Sequence, residues 1–202
     1  MKIGILGAGN VARQLAALFT AAGDEVLLSE REPQGDDGGG EYSTGTFNEA
    51  AAFGEIVVVA VPFSAAGEVL PDARENLRGK IVIDATNPLG ADWSPVFLGE
   101  DSAGEQTARL LPQTKVVKAF NTIFADVMRR AADFKGHKIT AFYCGDDPAA
   151  NRAVGELLEK IGFEPLETGG LKNARYLEAM AHLNIQIAVG MNGGADAAFK
   201  YL

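Results

Sequence analysis

The chain is poor in several residue types, and each shortage closes a class of explanation. A single cysteine, Cys144, stands among 202 residues, so no intrachain disulfide can form and a reducing, cytoplasmic setting is expected. The two histidines, His137 and His182, have no Cys, Asp or Glu partner at zinc-ligand spacing, so no metal site is expected. The most apolar stretch, 56–63, is far shorter than the ~20 residues of a membrane span and reads as a buried strand. The first apolar run begins at Ile3, too early for the charged and apolar regions of a signal peptide. Basic residues are also scarce: 18 Lys and Arg face 27 Asp and Glu, a net charge of −9. No cluster of them follows an element, so neither nucleic acid nor a membrane is an expected partner.

What is present is a hydrophobic content of 47%, arranged as strands alternating with helices. Strands are expected at 2–6, 25–30, 56–61, 80–84, 115–119, 139–144 and 163–167. Helices are expected at 10–22, 48–53, 104–111, 121–132, 148–161 and 173–189. The alternation predicts an α/β protein of the Rossmann type, with a doubly wound, mainly parallel sheet and a small helical C-terminal part. Residues 1–145 would form the nucleotide-binding domain, and 146–202 a strand and helices completing an acceptor site. Pro62 is expected to end the third of these strands, because it has no amide hydrogen to offer. The segment 33–40 holds Gly, Asp and Pro with little to bury and reads as a surface loop.

The strongest local signal is Gly7-Ala8-Gly9-Asn10-Val11-Ala12, a G-x-G-x-x-A sequence between the first predicted strand and helix. Gly7 permits the tight turn, Gly9 lets amides approach a pyrophosphate, and Ala12 brings helix and strand together. Glu30, 21 residues beyond Gly9, stands where an acid binds the ribose hydroxyls of NAD. Its neighbours Ser29 and Arg31 leave the other choice open, because an arginine there favours the extra phosphate of NADP. Two polar strand ends, at 61–64 and 84–88, fall on the carboxyl edge where open α/β sheets bind ligands. Ser64 lacks the glycines of a nucleophile elbow, and no catalytic side chain is assigned. Such a sparse acid and base inventory suits hydride transfer carried by a cofactor, and equally a non-catalytic module that senses NAD(P).

These motifs, together with Val61-Pro62-Phe63, Asp84-Ala85-Thr86-Asn87-Pro88-Leu89, Lys118-Ala119-Phe120-Asn121-Thr122, Cys144-Gly145-Asp146-Asp147 and the run from Gly170 to Glu178, give a chain that resembles the coenzyme F420-dependent NADP oxidoreductase family. The match runs in order over nearly the whole length. The resemblance implies NADP on the strand edge and a small-molecule acceptor, F420 or a flavin, stacked over the nicotinamide. It places the pyrophosphate on the turn from Gly7 through Ala8 and Gly9 to Asn10 and Val11, and the adenosine ribose between Ser29 and Arg31, on either side of Glu30. Val61, Pro62 and Phe63 would lie along the cofactor, with Asn87, Pro88, Ala119, Phe120, Asn121 and Thr122 around the nicotinamide and acceptor rings. The family usually carries a small or hydroxyl residue where Glu30 stands. The apolar C-terminal helix suggests core packing first, a homodimer face second and acceptor contact by Asn184 third. Reduction of a small imine or keto acid is an alternative sharing the N-terminal half, but it calls for a larger helical C-terminal domain.

Overall fold

The computed structural model describes residues 1–30 and 42–202. Its centre is one sheet of eight strands: β1 (Lys2–Leu6), β2 (Glu25–Ser29), β3 (Ser43–Gly45), β4 (Ile56–Val59), β5 (Ile81–Asp84), β6 (Lys115–Lys118), β7 (Thr140–Gly145) and β8 (Glu164–Glu167). Their spatial order is β3-β2-β1-β4-β5-β6-β7-β8. Every neighbouring pair is parallel except β6 and β7, which meet antiparallel through Val117 with Gly145 and Lys118 with Cys144. The first six strands thus have the doubly wound order expected for a Rossmann fold, and the chain reverses direction across the sheet between β1 and β4. The central strand β4 is apolar throughout: Ile56 to Val59 are all buried, as a strand covered on both faces requires.

Helices cover the two faces. They are α1 (Asn10–Ala21), α2 (Phe47–Phe53), α3 (Phe63–Leu77), α4 (Ala103–Leu110), α5 (Ala125–Met128), α6 (Pro148–Lys160) and α7 (Ala174–Ile185). One core gathers Leu15 and Phe19 of α1 with Ile5, Val58, Phe120 and Phe163. The other gathers Leu70 and Leu77 of α3 with Val57, Val82, Cys144 and Leu177. The Asp147 carboxylate caps α6 by accepting from the Ala150 amide at 2.8 Å, with Pro148 in the first turn, as the sequence predicts.

Three expectations are corrected and two elements, α3 and β3, are added. Strand β4 ends at Val59 rather than at Val61, and Pro62 instead precedes α3 as its cap, where a missing amide hydrogen costs nothing. Helix α3 itself, absent from the sequence reading, buries Ala66, Leu70, Ala73 and Leu77. The helix expected over 121–132 shrinks to Ala125–Met128; the chain then winds through three-residue turns, with Arg130 bonding Val127 and Ala131 bonding Met128. The last helix is α only to Ile185 and widens into a π-helical turn over Gln186–Gly190, with the Met191 amide reaching back to Gln186. Strand β3 was likewise not foreseen. Arg31 and the loop predicted over 33–40 lie outside the described residues.

Candidate active site

Beyond Leu6 the chain turns at once. Gly7 adopts φ +114°, and a Cβ there would lie 2.5 Å from the carbonyl oxygen of Ala60, so only glycine fits. The turn is pressed against the end of β4, where the strand order reverses. The Gly7 amide donates to Ser29 Oγ at 2.8 Å, and that buried serine ties the turn to the end of β2. Gly9 then leads into α1 with extended backbone and no side-chain cap, and the first turn of α1 holds no acidic residue. A Cβ on Gly9 would meet no atom within 4 Å. Open space in front of unspent helix amides is the geometry that holds a phosphate. Gly9 and Asn10 are exposed there, and Gly7, Ala8 and Val11 half-buried.

Beside this turn stands Glu30, just past β2. Its Oε1 lies 2.6 Å from Arg13 Nη2, and Arg13 Nε also donates to the Ala8 carbonyl at 3.1 Å. Hydrogen bonds to Glu30 and Tyr42 hold the Arg13 guanidinium above its ordinary pKa. Arg13 was not singled out from the sequence; its place one turn into α1, on the face above the glycine turn, is the signal that was there to find.

Farther along the edge, Val61 is half-buried, Pro62 exposed and Phe63 half-buried. Phe63 opens a groove of about 350 Å³ between α3 and α4, lined also by Ala66, Gly67, Gln106 and Thr107. The two asparagines meet: Asn87 Nδ2 donates to the Asn121 carbonyl at 2.8 Å, and Asn121 Nδ2 donates to Asn87 Oδ1 at 3.0 Å. Phe120, in the left-handed region at φ +65°, makes the bend that presents Asn121. Its buried ring is held edge-on by Phe19 and Phe163, with centroids at 6.3 and 5.9 Å. Strained backbone of this kind persists where packing enforces it. Asn121 Oδ1 and Thr122 Oγ1 are buried without a hydrogen-bond partner among the described residues. Pro88 and Ala119 are buried beneath the edge, and His182 Nε2 lies 3.0 Å from the Pro88 carbonyl oxygen, so the proton of that contact sits on Nε2.

Under this edge lies a buried charge cluster that sequence reading missed. Lys118 Nζ is 2.8 Å from Glu178 and 3.4 Å from Asp84, and donates to the Thr86 carbonyl at 2.6 Å. Burial works against its charge, and the carboxylates of Asp84 and Glu178 outweigh that burial, so Lys118 titrates above its ordinary range. Glu178 also accepts from the Ala103 and Gly104 amides at the start of α4. Cys144 lies nearby, its thiol pushed up to about 12 by burial, which suits a packed residue and not a nucleophile.

The pattern of the family described as NADP oxidoreductase, coenzyme F420-dependent, matches residues 2–88. The F420-dependent NADP reductase of Methanothermobacter thermautotrophicus is 32% identical over 94% of this chain and 90% of its own length. The chain belongs to the F420-dependent NADP oxidoreductase family. That places it among NADP-dependent oxidoreductases, as the resemblance implies. The family's shape is shared as well: a crystal structure from Arthrobacter sp. FB24, described as a candidate F420-dependent NADP reductase, superposes with a TM-score of 0.89 at 31% identity, covering 100% of this chain and 99% of the other. Metalloreductase STEAP3 of Rattus norvegicus is 33% identical over 89% of this chain, and the chain spans only 36% of that protein's length. Among the described residues no helix is long and apolar enough to cross a membrane.

Proposed function

We propose that the protein binds NADPH along the carboxyl edge of its sheet and passes hydride to a flavin or deazaflavin such as F420. The observation that carries this reading is the glycine turn: Gly7 locked against Ala60, and Gly9 facing open space before an uncapped helix. The pyrophosphate would take the amides of α1, with Ser29 acting through its hold on Gly7. NADPH supplies the hydride, and the isoalloxazine or deazaisoalloxazine ring accepts it. The protein's part is orientation. The crossed amides of Asn87 and Asn121 fix the edge under the nicotinamide. The bond from His182 holds Pro88 from the acceptor side. Ring-to-ring hydride transfer needs near-contact geometry more than it needs an acid or base, and no charged residue touches the Asn87–Asn121 pair in the bonds described.

In this reading the acceptor side is completed by residues beyond 145, chiefly α7. The exposed Tyr176 and Leu183 of that helix and Ile187 of the π-helical turn after it are suited to a second copy of the chain, and the lone reduced thiol suits a cytoplasmic protein. Titration with NADPH, followed by nicotinamide fluorescence, is expected to saturate at micromolar to millimolar cofactor. NADPH oxidation with F420, FMN, FAD and ferric chelates then identifies the acceptor. Absence of any fluorescence change overturns cofactor binding, and binding without oxidation by all four acceptors overturns ring-to-ring transfer in favour of a redox sensor.

A further inference from the structure

Glu30 presents a contradiction that the structure resolves. An acid at the end of the second strand receives the ribose hydroxyls of NAD, yet the family is named for NADP, whose 2′-phosphate a carboxylate repels. Among the described residues the side chain that meets Glu30 is Arg13, 2.6 Å away, and Arg13 is itself fastened to the glycine turn through the Ala8 carbonyl at 3.1 Å. The Arg13 side chain is 47% exposed and that of Glu30 17%. The Glu30 amide is pinned to the Gly45 carbonyl at 2.9 Å, so the carboxylate has a fixed stem while the guanidinium reaches over it from solvent. A half-exposed ion pair contributes little to folding, which leaves its position at the ribose end as its significance.

We infer that Arg13 and Glu30 together form a cofactor selector that admits both NADH and NADPH. With NADH, Glu30 accepts from the ribose hydroxyls. With NADPH, Arg13 offsets the repulsion of the carboxylate and turns its remaining N–H groups to the 2′-phosphate, in charge-assisted hydrogen bonds for which guanidinium is suited. This rests on the reading that a dinucleotide lies over the glycine turn. It assigns to Arg13, a residue outside the glycine motif, the charge balance that lets an acid stand at this position.

The test is a set of binding titrations, by nicotinamide fluorescence and calorimetry, of NADH, NADPH and the fragment 2′-AMP against the full chain and the variants Arg13→Met and Glu30→Gln. The unaltered protein is expected to bind NADH and NADPH within about tenfold of each other, since each has a partner of the right sign. Glu30→Gln should weaken NADH by about tenfold while NADPH and 2′-AMP hold or tighten; Arg13→Met should weaken NADPH and 2′-AMP by about tenfold or more and change NADH by less than threefold. Unchanged thermal midpoints show that both variants fold. If both variants shift NADH and NADPH by equal factors, or leave both unchanged, the selector is overturned while dinucleotide binding stands. If the unaltered protein binds neither cofactor at millimolar concentration, the dinucleotide reading falls and the selector with it.

Discussion

At the scale of single residues, Gly7 and Gly9 look interchangeable in the sequence and are physically opposite. Gly7 is closed in: a Cβ would strike Ala60 at 2.5 Å, and its φ of +114° excludes other residues. Gly9 has ordinary φ of −76° and free space around it. Gly7→Ala is therefore expected to destabilise the fold by roughly 1–3 kcal/mol or more through backbone strain alone, seen as a lower thermal midpoint. Gly9→Ala, which trades a favoured N-cap residue for a poor one, should cost no more than about 1 kcal/mol, yet weaken NADPH by about tenfold, or ~1.4 kcal/mol, because the methyl occupies the approach of the pyrophosphate. Equal effects of the two variants on stability would contradict this division. Cys144 gives a second test at this scale. With its thiol pushed up to about 12, only about one molecule in ten thousand carries thiolate at pH 8. The native protein should resist a thiol-specific disulfide reagent at that pH and react fully once unfolded; rapid reaction in the native state would refute the burial.

At the scale of elements, what the sequence showed depended on contrast. Strands β1 and β5 are short and mostly Ile, Leu and Val between polar or glycine residues, and their positions could be read almost to the residue, whereas the apolar run of β4 continues into Ala60 and Val61 and reads two residues too long. Helix α3 is hidden because its inner face alternates Leu70 and Leu77 with Ala66 and Ala73, whose small side chains barely register as apolar, and because Gly67 and Pro71 interrupt the pattern. Helix α5 was overextended because Val127, Met128 and Ala131 are all buried, and turns achieve that burial as well as a helix would. The cap of α4 could be anticipated from Ser102 and Glu105, three residues apart. The Ser102 hydroxyl accepts from the Glu105 amide at 3.1 Å and donates to its carboxylate at 2.8 Å, while Arg175 of α7 grips the same carboxylate at 2.8 Å. Ser102→Ala should cost about 1 kcal/mol in urea denaturation, within the 0.5–2 kcal/mol range of lost caps. A neutral substitution would show that the Arg175 contact alone sets the start of α4.

At the scale of the whole molecule, the glycine turn and the strand edge were legible because local sequence carries them, and the buried cluster was not because its members are scattered. Lys118 reads as a surface charge closing a short strand, and its partners Asp84 and Glu178 stand 34 and 60 positions away in sequence. Together they fasten β5 and β6 to the starts of α4 and α7, and through the Thr86 carbonyl Lys118 also fixes the residue preceding Asn87. Removing the lysine leaves two carboxylates buried without their cation, so Lys118→Met is expected to lose about 3–5 kcal/mol of stability. Adding Glu178→Gln should restore part of that loss, since one of the stranded charges is gone. The pH dependence follows from the raised folded-state pKa of Lys118. A group raised on folding contributes its full stabilisation below its unfolded value, about 10.4, and loses it only as pH climbs through the higher folded value. The stability gap between the unaltered protein and Lys118→Met, followed by urea midpoints, should therefore stay level from pH 7 to pH 10 and narrow only above that. A gap that closed between pH 7 and pH 9 would mean that the buried lysine is neutral in the fold, and the charge cluster would then be a neutral hydrogen-bond network instead.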